Sequence, residues 1–65
     1  MITAIVSDKR RVTSEGVSNI IEYDGLSTDT KPLYDDGARN ADTFFEMDTG
    51  SAFKFDEDGD KWREL

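Results

Sequence analysis

The side chains with the most evident chemical potential are the carboxylates of Asp56-Glu57-Asp58-Gly59-Asp60. Hard oxygens crowded around a glycine suit Ca²⁺, which takes about six to eight oxygen ligands on a backbone able to curl. Asp56, Asp58 and Asp60 have the alternate spacing of an EF-hand loop. The glycine, however, precedes the third Asp, and Leu65 stands six residues after it, where that loop carries its Glu. The plainer reading is an acidic, solvated hairpin loop. Asp35-Asp36, with Asp24, Asp29 and Asp42 nearby in sequence, form a second acidic set. Paired carboxylates serve as acid and base in glycoside hydrolysis. Nothing in the sequence makes a cleft for such a pair, so this set too reads as a solvated loop.

Phe44, Phe45, Phe53, Phe55 and Trp62 have faces on which bases or sugars could stack. That role also needs a positive groove. The chain has 15 acidic and 8 basic residues, a formal charge of −7. Such a surface repels nucleic acid phosphates and anionic membranes, so neither is an expected partner. The longest basic run, Lys9-Arg10-Arg11, is diluted by Asp8 and Glu15. It reads as a solvated loop, or as the one positive spot for an acidic partner or a neighbouring copy.

The elements that must position these residues are short. The 65 residues make one domain at most. A core this small is marginal and is usually reinforced by disulfides, a metal or a partner. There is no Cys, which excludes disulfides, thiolate metal sites and cysteine nucleophiles. There is no His, which removes the commonest general base. Oligomerisation or docking on a larger assembly is left as the expected staple, and no cofactor is expected. No apolar stretch approaches the roughly 18 residues of a membrane span. The start, Met1-Ile2-Thr3-Ala4, lacks the regions of a signal peptide, so use or assembly in a reducing cytoplasm is expected.

Residues 2–6 (ITAIV) are β-branched and apolar and fit a strand. Residues 7–11 are polar and read as a loop. Residues 12–15 either extend the first hairpin or belong to its loop. Residues 17–23 (VSNIIEY) fit a second strand, ended by Asp24-Gly25. Residues 26–42 have no period of 2 or 3.6 and hold the only proline, Pro32. A structureless connection this long is unusual in a compact domain. It is expected either to be ordered by another chain or to be a mobile arm, with Leu33 and Tyr34 as anchors. The last third reads as three strands, residues 43–47, 52–56 and 61–65, joined by turns at 48–50 and 56–60. Gly50 and Gly59 fall late in those turns, where φ > 0 is often needed. Phe45, Met47, Phe53, Phe55 and Trp62 are the expected core. Alternation puts Phe44 on the face opposite Phe45, so Phe44 joins Leu33 and Tyr34 as an interface candidate.

The run GLSTDTKP at residues 25–32, then DTFFEMDTG at 42–50, Phe53-Lys-Phe-Asp56 and Trp62, resembles a group of small proteins and terminal modules of tailed bacteriophages and prophages, mainly of Gram-positive hosts. The resemblance covers residues 25 to 65. The group often has a Val-Pro-x-Gly lead-in before the FFEMDTG strand, where this chain has Tyr34-Asp-Asp-Gly-Ala-Arg-Asn-Ala41. The resemblance implies a virion-associated role and transfers no catalytic residue. Residues 1–24 carry no such motif.

The expectation is a mainly β, single small domain, residues 1–65. A small antiparallel sheet combines an N-terminal hairpin (1–24) and a β-meander (43–65), joined by an irregular connection (25–42). Its expected role is that of a non-enzymatic phage structural protein, a head-fibre, decoration or tail accessory component. It would pack as a homo-oligomer, a trimer for instance, or on another virion protein, assembled in the host cytoplasm. The alternative is an acidic phage protein that inhibits a host protein, as a DNA mimic for example.

Overall fold

A computed structural model describes all 65 residues. The chain forms one five-stranded sheet in the order β1-β2-β3-β4-β5. The strands are β1 (Thr3–Thr13), β2 (Gly16–Gly25), β3 (Thr43–Glu46), β4 (Ala52–Asp56) and β5 (Lys61–Glu64). The fold is mainly β, with an N-terminal hairpin β1–β2 and a C-terminal meander β3–β4–β5. The two antiparallel units join through one parallel pair, Glu22 to Gly25 of β2 beside Thr43 to Glu46 of β3. The sheet is therefore mixed. Parallel neighbours cannot be joined by a tight turn, because the chain must return to the starting end. Residues 26–42 are that return.

The connection packs against its own chain. It crosses one face of the sheet and is fastened there by its own side chains. It includes a short 3₁₀ turn, Tyr34–Asp36, in which Asp36 Oδ2 accepts from the Leu33 amide at 3.0 Å. Ala38 in the connection is fully buried. Leu33 and Tyr34 are not its anchors, since both lie exposed.

Residues 7–11 are not a loop. They continue β1, and the register slips between Val6 and Arg10, so that Ser7, Asp8 and Lys9 face only Ile20 of β2. This bulge is held by Asn19 Nδ2 donating to the Ser7 carbonyl at 2.8 Å. β1 is an edge strand, and a bulge carrying charges is a common way of blunting such an edge.

The aromatic core lies under the connection. Trp62 is its hub, with ring centroids 5.1 Å from Phe55, 5.8 Å from Phe44 and 6.0 Å from Tyr23. These inclined contacts each contribute roughly 0.5–1.5 kcal/mol beyond burial. The indole Nε1 donates to the Pro32 carbonyl at 2.8 Å and so pins the connection. Phe53, Phe55 and Trp62 share this covered face, as expected. Two core expectations are corrected. Phe44 is fully buried and is no interface residue, whereas Phe45 is 43 % exposed and Met47 54 %. The pair Phe44–Phe45 does split across the sheet, but the connection covers the Phe44 side. Gly50 has φ of 78°, as its turn requires. In the next turn the positive φ falls on Asp60, at 50°, and not on Gly59.

Candidate functional site

The DEDGD loop does not gather its carboxylates. Asp56 Oδ1 accepts from the Asp58 and Gly59 amides at 3.1 and 3.2 Å, and Asp56 Oδ2 from Arg63 Nε at 2.7 Å. The hydrogen bond from Arg63, first, and that from the Gly59 amide hold the Asp56 carboxyl below its ordinary pKa. Asp60 Oδ1 accepts from the Tyr34 amide at 3.0 Å. Glu57 and Asn40 exchange two bonds, Asn40 N to Glu57 Oε1 and Glu57 N to Asn40 Oδ1. Asp56, Glu57 and Asp60 are thus each turned to a different backbone or side-chain donor, and no three acids converge as metal ligands anywhere in the chain. The loop is a clasp between the meander and the connection.

The second acidic set is equally dispersed. Asp42 is fully buried and accepts from Arg11 Nη1 at 2.7 Å, Ile21 N at 2.9 Å and Arg39 N at 2.9 Å. Arg11 is the last residue of the basic run that reads as a solvated loop in sequence. It also donates to Ser18 Oγ and to the carbonyls of Asn19 and Asn40. Its charge is spent inside the fold. Lys9 and Arg10 remain exposed at the bulge.

The motif residues 25–32 and 44–50 face one another. Ser27 donates through its amide and hydroxyl to Asp48, at 2.9 and 2.6 Å, and its hydroxyl is the main reason the Asp48 carboxyl is held below its ordinary pKa. Lys31 Nζ lies 2.7 Å from Glu46 Oε2 and over the rings of Phe44 and Phe53, 4.9 Å from each centroid. Thr49 Oγ1 donates to Glu46 Oε1 at 2.7 Å. The bonds from Lys31, chiefly, and Thr49 hold Glu46 below its ordinary pKa. Gly25 backs onto the Phe44 ring so closely that a Cβ there would sit 2.8 Å from Phe44 Cζ. These residues lock the connection to the meander. Their contacts are structural and say little about a task.

One open, polar cleft of about 460 Å³ lies between the hairpin tip, at Thr13, Glu15 and Ser18, and Arg39, Asn40 and Glu57. Its groups are mostly engaged within the chain. Thr13 Oγ1 meets the Gly16 carbonyl and the Glu15 amide, and the Arg39 guanidinium lies 3.9 Å from the Tyr34 ring centroid. No hydroxyl there is hydrogen-bonded to a carboxylate that would activate it.

The more prominent surfaces are the two the fold leaves uncovered. One is the outer edge of β1, with Val6 and Val12 exposed. The other is the sheet face opposite the connection. Strand register places Ile5, Glu22, Thr43, Lys54 and Arg63 in one row across it, and Thr3, Asp24, Phe45 and Ala52 in the next. Alternation separates Phe45 from Phe44, but the expectation that Phe45 lies on the buried side is the one the structure reverses. No family model, curated protein or solved structure matches the chain.

Proposed function

We propose that this chain is a non-enzymatic structural or accessory module of a bacteriophage particle, which packs on a virion component of the head-fibre, decoration or tail accessory type. The observation that carries this reading is the imbalance between core and surface. Ala38, Phe44 and Phe55 are the only buried apolar side chains, while Val6, Val12, Val17, Phe45 and Met47 all stand exposed. A fold that leaves this much apolar surface on its N-terminal hairpin and on an open sheet face is suited to burying it against a neighbour. The resemblance of residues 25–65 to phage modules points the same way. The polar cleft, in which Arg11, Arg39 and Glu57 are already engaged, gives no comparable support to an enzymatic role.

The acidic decoy draws less support. A DNA mimic needs free carboxylates in phosphate-like rows. Here Asp29, Asp36, Asp42, Glu46, Asp48, Asp56, Glu57 and Asp60 each accept hydrogen bonds from within the chain.

The test is mass spectrometry of density-purified particles beside whole infected cells. The protein should co-purify with particles in fixed ratio to the major capsid protein. Its presence in infected cells and absence from particles would overturn the reading.

A further inference from the structure

We propose that the uncovered sheet face is the interface of a symmetric homodimer, in which two copies lie face to face about a two-fold axis running along β3. The proposal stands on this face alone and does not depend on what the β1 edge contacts.

A single sheet with one covered face is half of a two-layer architecture. The connection supplies the second layer on the Phe44 side only. On the other side Phe45 and Ile5 are 43 % and 49 % exposed, and Ile20 lies on the same side of β2 as Glu22. β3 is the middle strand of the five, so a two-fold axis along it brings β2 of one copy over β4 of the other, and β1 over β5.

One pair of free charges on this face, Glu22 and Lys54, is placed for that operation. Glu22 and Asp24 stand on β2; Lys54 stands on β4, and Lys61 and Arg63 on β5. Glu22, Asp24, Lys54 and Lys61 have no ion-pair partner within the chain. Arg63 is paired with Asp56 on the same face. The free charges of the face therefore balance, two acids against two bases, in a chain whose total is −7. Rotation about β3 lays Glu22 of each copy on Lys54 of the other, on both sides of the axis and one row from the two Phe45 rings, while Asp24 falls on Ala52 and Lys61 over β1. An arrangement that is acidic on one side and basic on the other fits its own rotated copy and rejects a uniformly acidic one.

The experiment is light scattering on a sizing column over a range of concentrations, with circular dichroism to confirm folding. The wild type should reach a mass twice 7.3 kDa. Phe45→Ser should weaken association at least about tenfold, as loss of a central aromatic anchor does. Glu22→Lys and Lys54→Glu should each run as monomers, and an equal mixture of the two should run as a dimer. That complementation stands even if Phe45→Ser fails to fold. A wild type that stays monomeric at every concentration overturns the proposal. So does a dimer that survives all these substitutions, which would place the contact elsewhere, or a mixture that stays monomeric.

Discussion

Asp42 and Arg11, 31 positions apart in sequence, meet at 2.7 Å where the hairpin joins the meander. The Asp42 side chain is fully buried and that of Arg11 is 11 % exposed. Asp42 also accepts the Ile21 amide, so a side chain takes up a β2 donor where the parallel ladder begins. One carboxylate thus ties β1, β2 and the end of the connection together.

Removing one partner of a buried ion pair leaves the other charged and unpaired, at a cost of about 3–5 kcal/mol. Asp42→Ala should lose that much, enough to unfold a chain of this size at 37 °C. Urea denaturation followed by circular dichroism measures it. A loss below about 1 kcal/mol, the range of exposed pairs, would show that the junction does not rest on this contact.

The two adjacent phenylalanines should differ sharply. Phe44→Ala empties a packed site beneath the connection and should cost about 3–5 kcal/mol. Phe45→Ala removes a half-exposed ring and should cost well under half as much in the monomer. Equal losses in dilute urea titrations would contradict the assignment of the covered face.

Gly25→Ala adds a methyl where only 2.8 Å separates it from Phe44 Cζ. Overpacking of this kind costs about 1–3 kcal/mol. Gly59→Ala meets the Asp56 carboxylate at 3.0 Å, a group that can shift. Thermal melts should therefore rank Gly25→Ala as the more damaging of the two.

Glu46, Asp48 and Asp56 are held below their ordinary values of 4.5, 3.8 and 3.8, mainly by bonds from Lys31, Ser27 and Arg63 respectively. Groups whose pKa is lowered on folding bind fewer protons in the native state. Their stabilisation is complete above the unfolded pKa values and is lost as pH falls through the folded ones. The melting temperature should stay level from neutral pH down to about pH 5 and fall below about pH 4.5. Glu46→Gln should lower it at pH 7 and make the acid fall shallower. An acid fall as steep as the wild type's would remove Glu46 from the account.

Millimolar Ca²⁺ should leave the melting temperature unchanged, because Asp56 and Asp60 are turned to Arg63 and to the Tyr34 amide. A rise that saturates with Ca²⁺ and disappears in Asp58→Ala would show that the loop rearranges around the ion.

The meander was legible because Phe53 and Phe55 alternate between two turn signals, and Gly50 takes the φ its turn needs. Residues 7–11 were not legible. An edge strand wetted on both faces has no apolar period, and a bulge erases what register remains. Alternation separated Phe44 from Phe45, but only the path of residues 26–42 decides which of them is covered. Periodicity also carries no direction, so nothing in residues 16–25 or 43–46 revealed that these strands run parallel. Arg11, Asp42, Ser27 and Lys31 were visible as polar residues. Their partners lie 15 to 31 positions away, beyond any local pattern.

The parallel pairing of β2 with β3 also bears on how the protein reaches its native state. The hairpin and the meander close only short loops and can form locally on the microsecond scale. The parallel pair must first close residues 26–42, a non-local step whose entropic cost is met before its contacts form. The joining of two preformed halves is then the expected bottleneck. In stopped-flow chevrons, Asp42→Ala, Gly25→Ala and substitutions at the β1–β2 tip, whose contacts are made by that step, should slow the folding arm and leave the unfolding arm little changed.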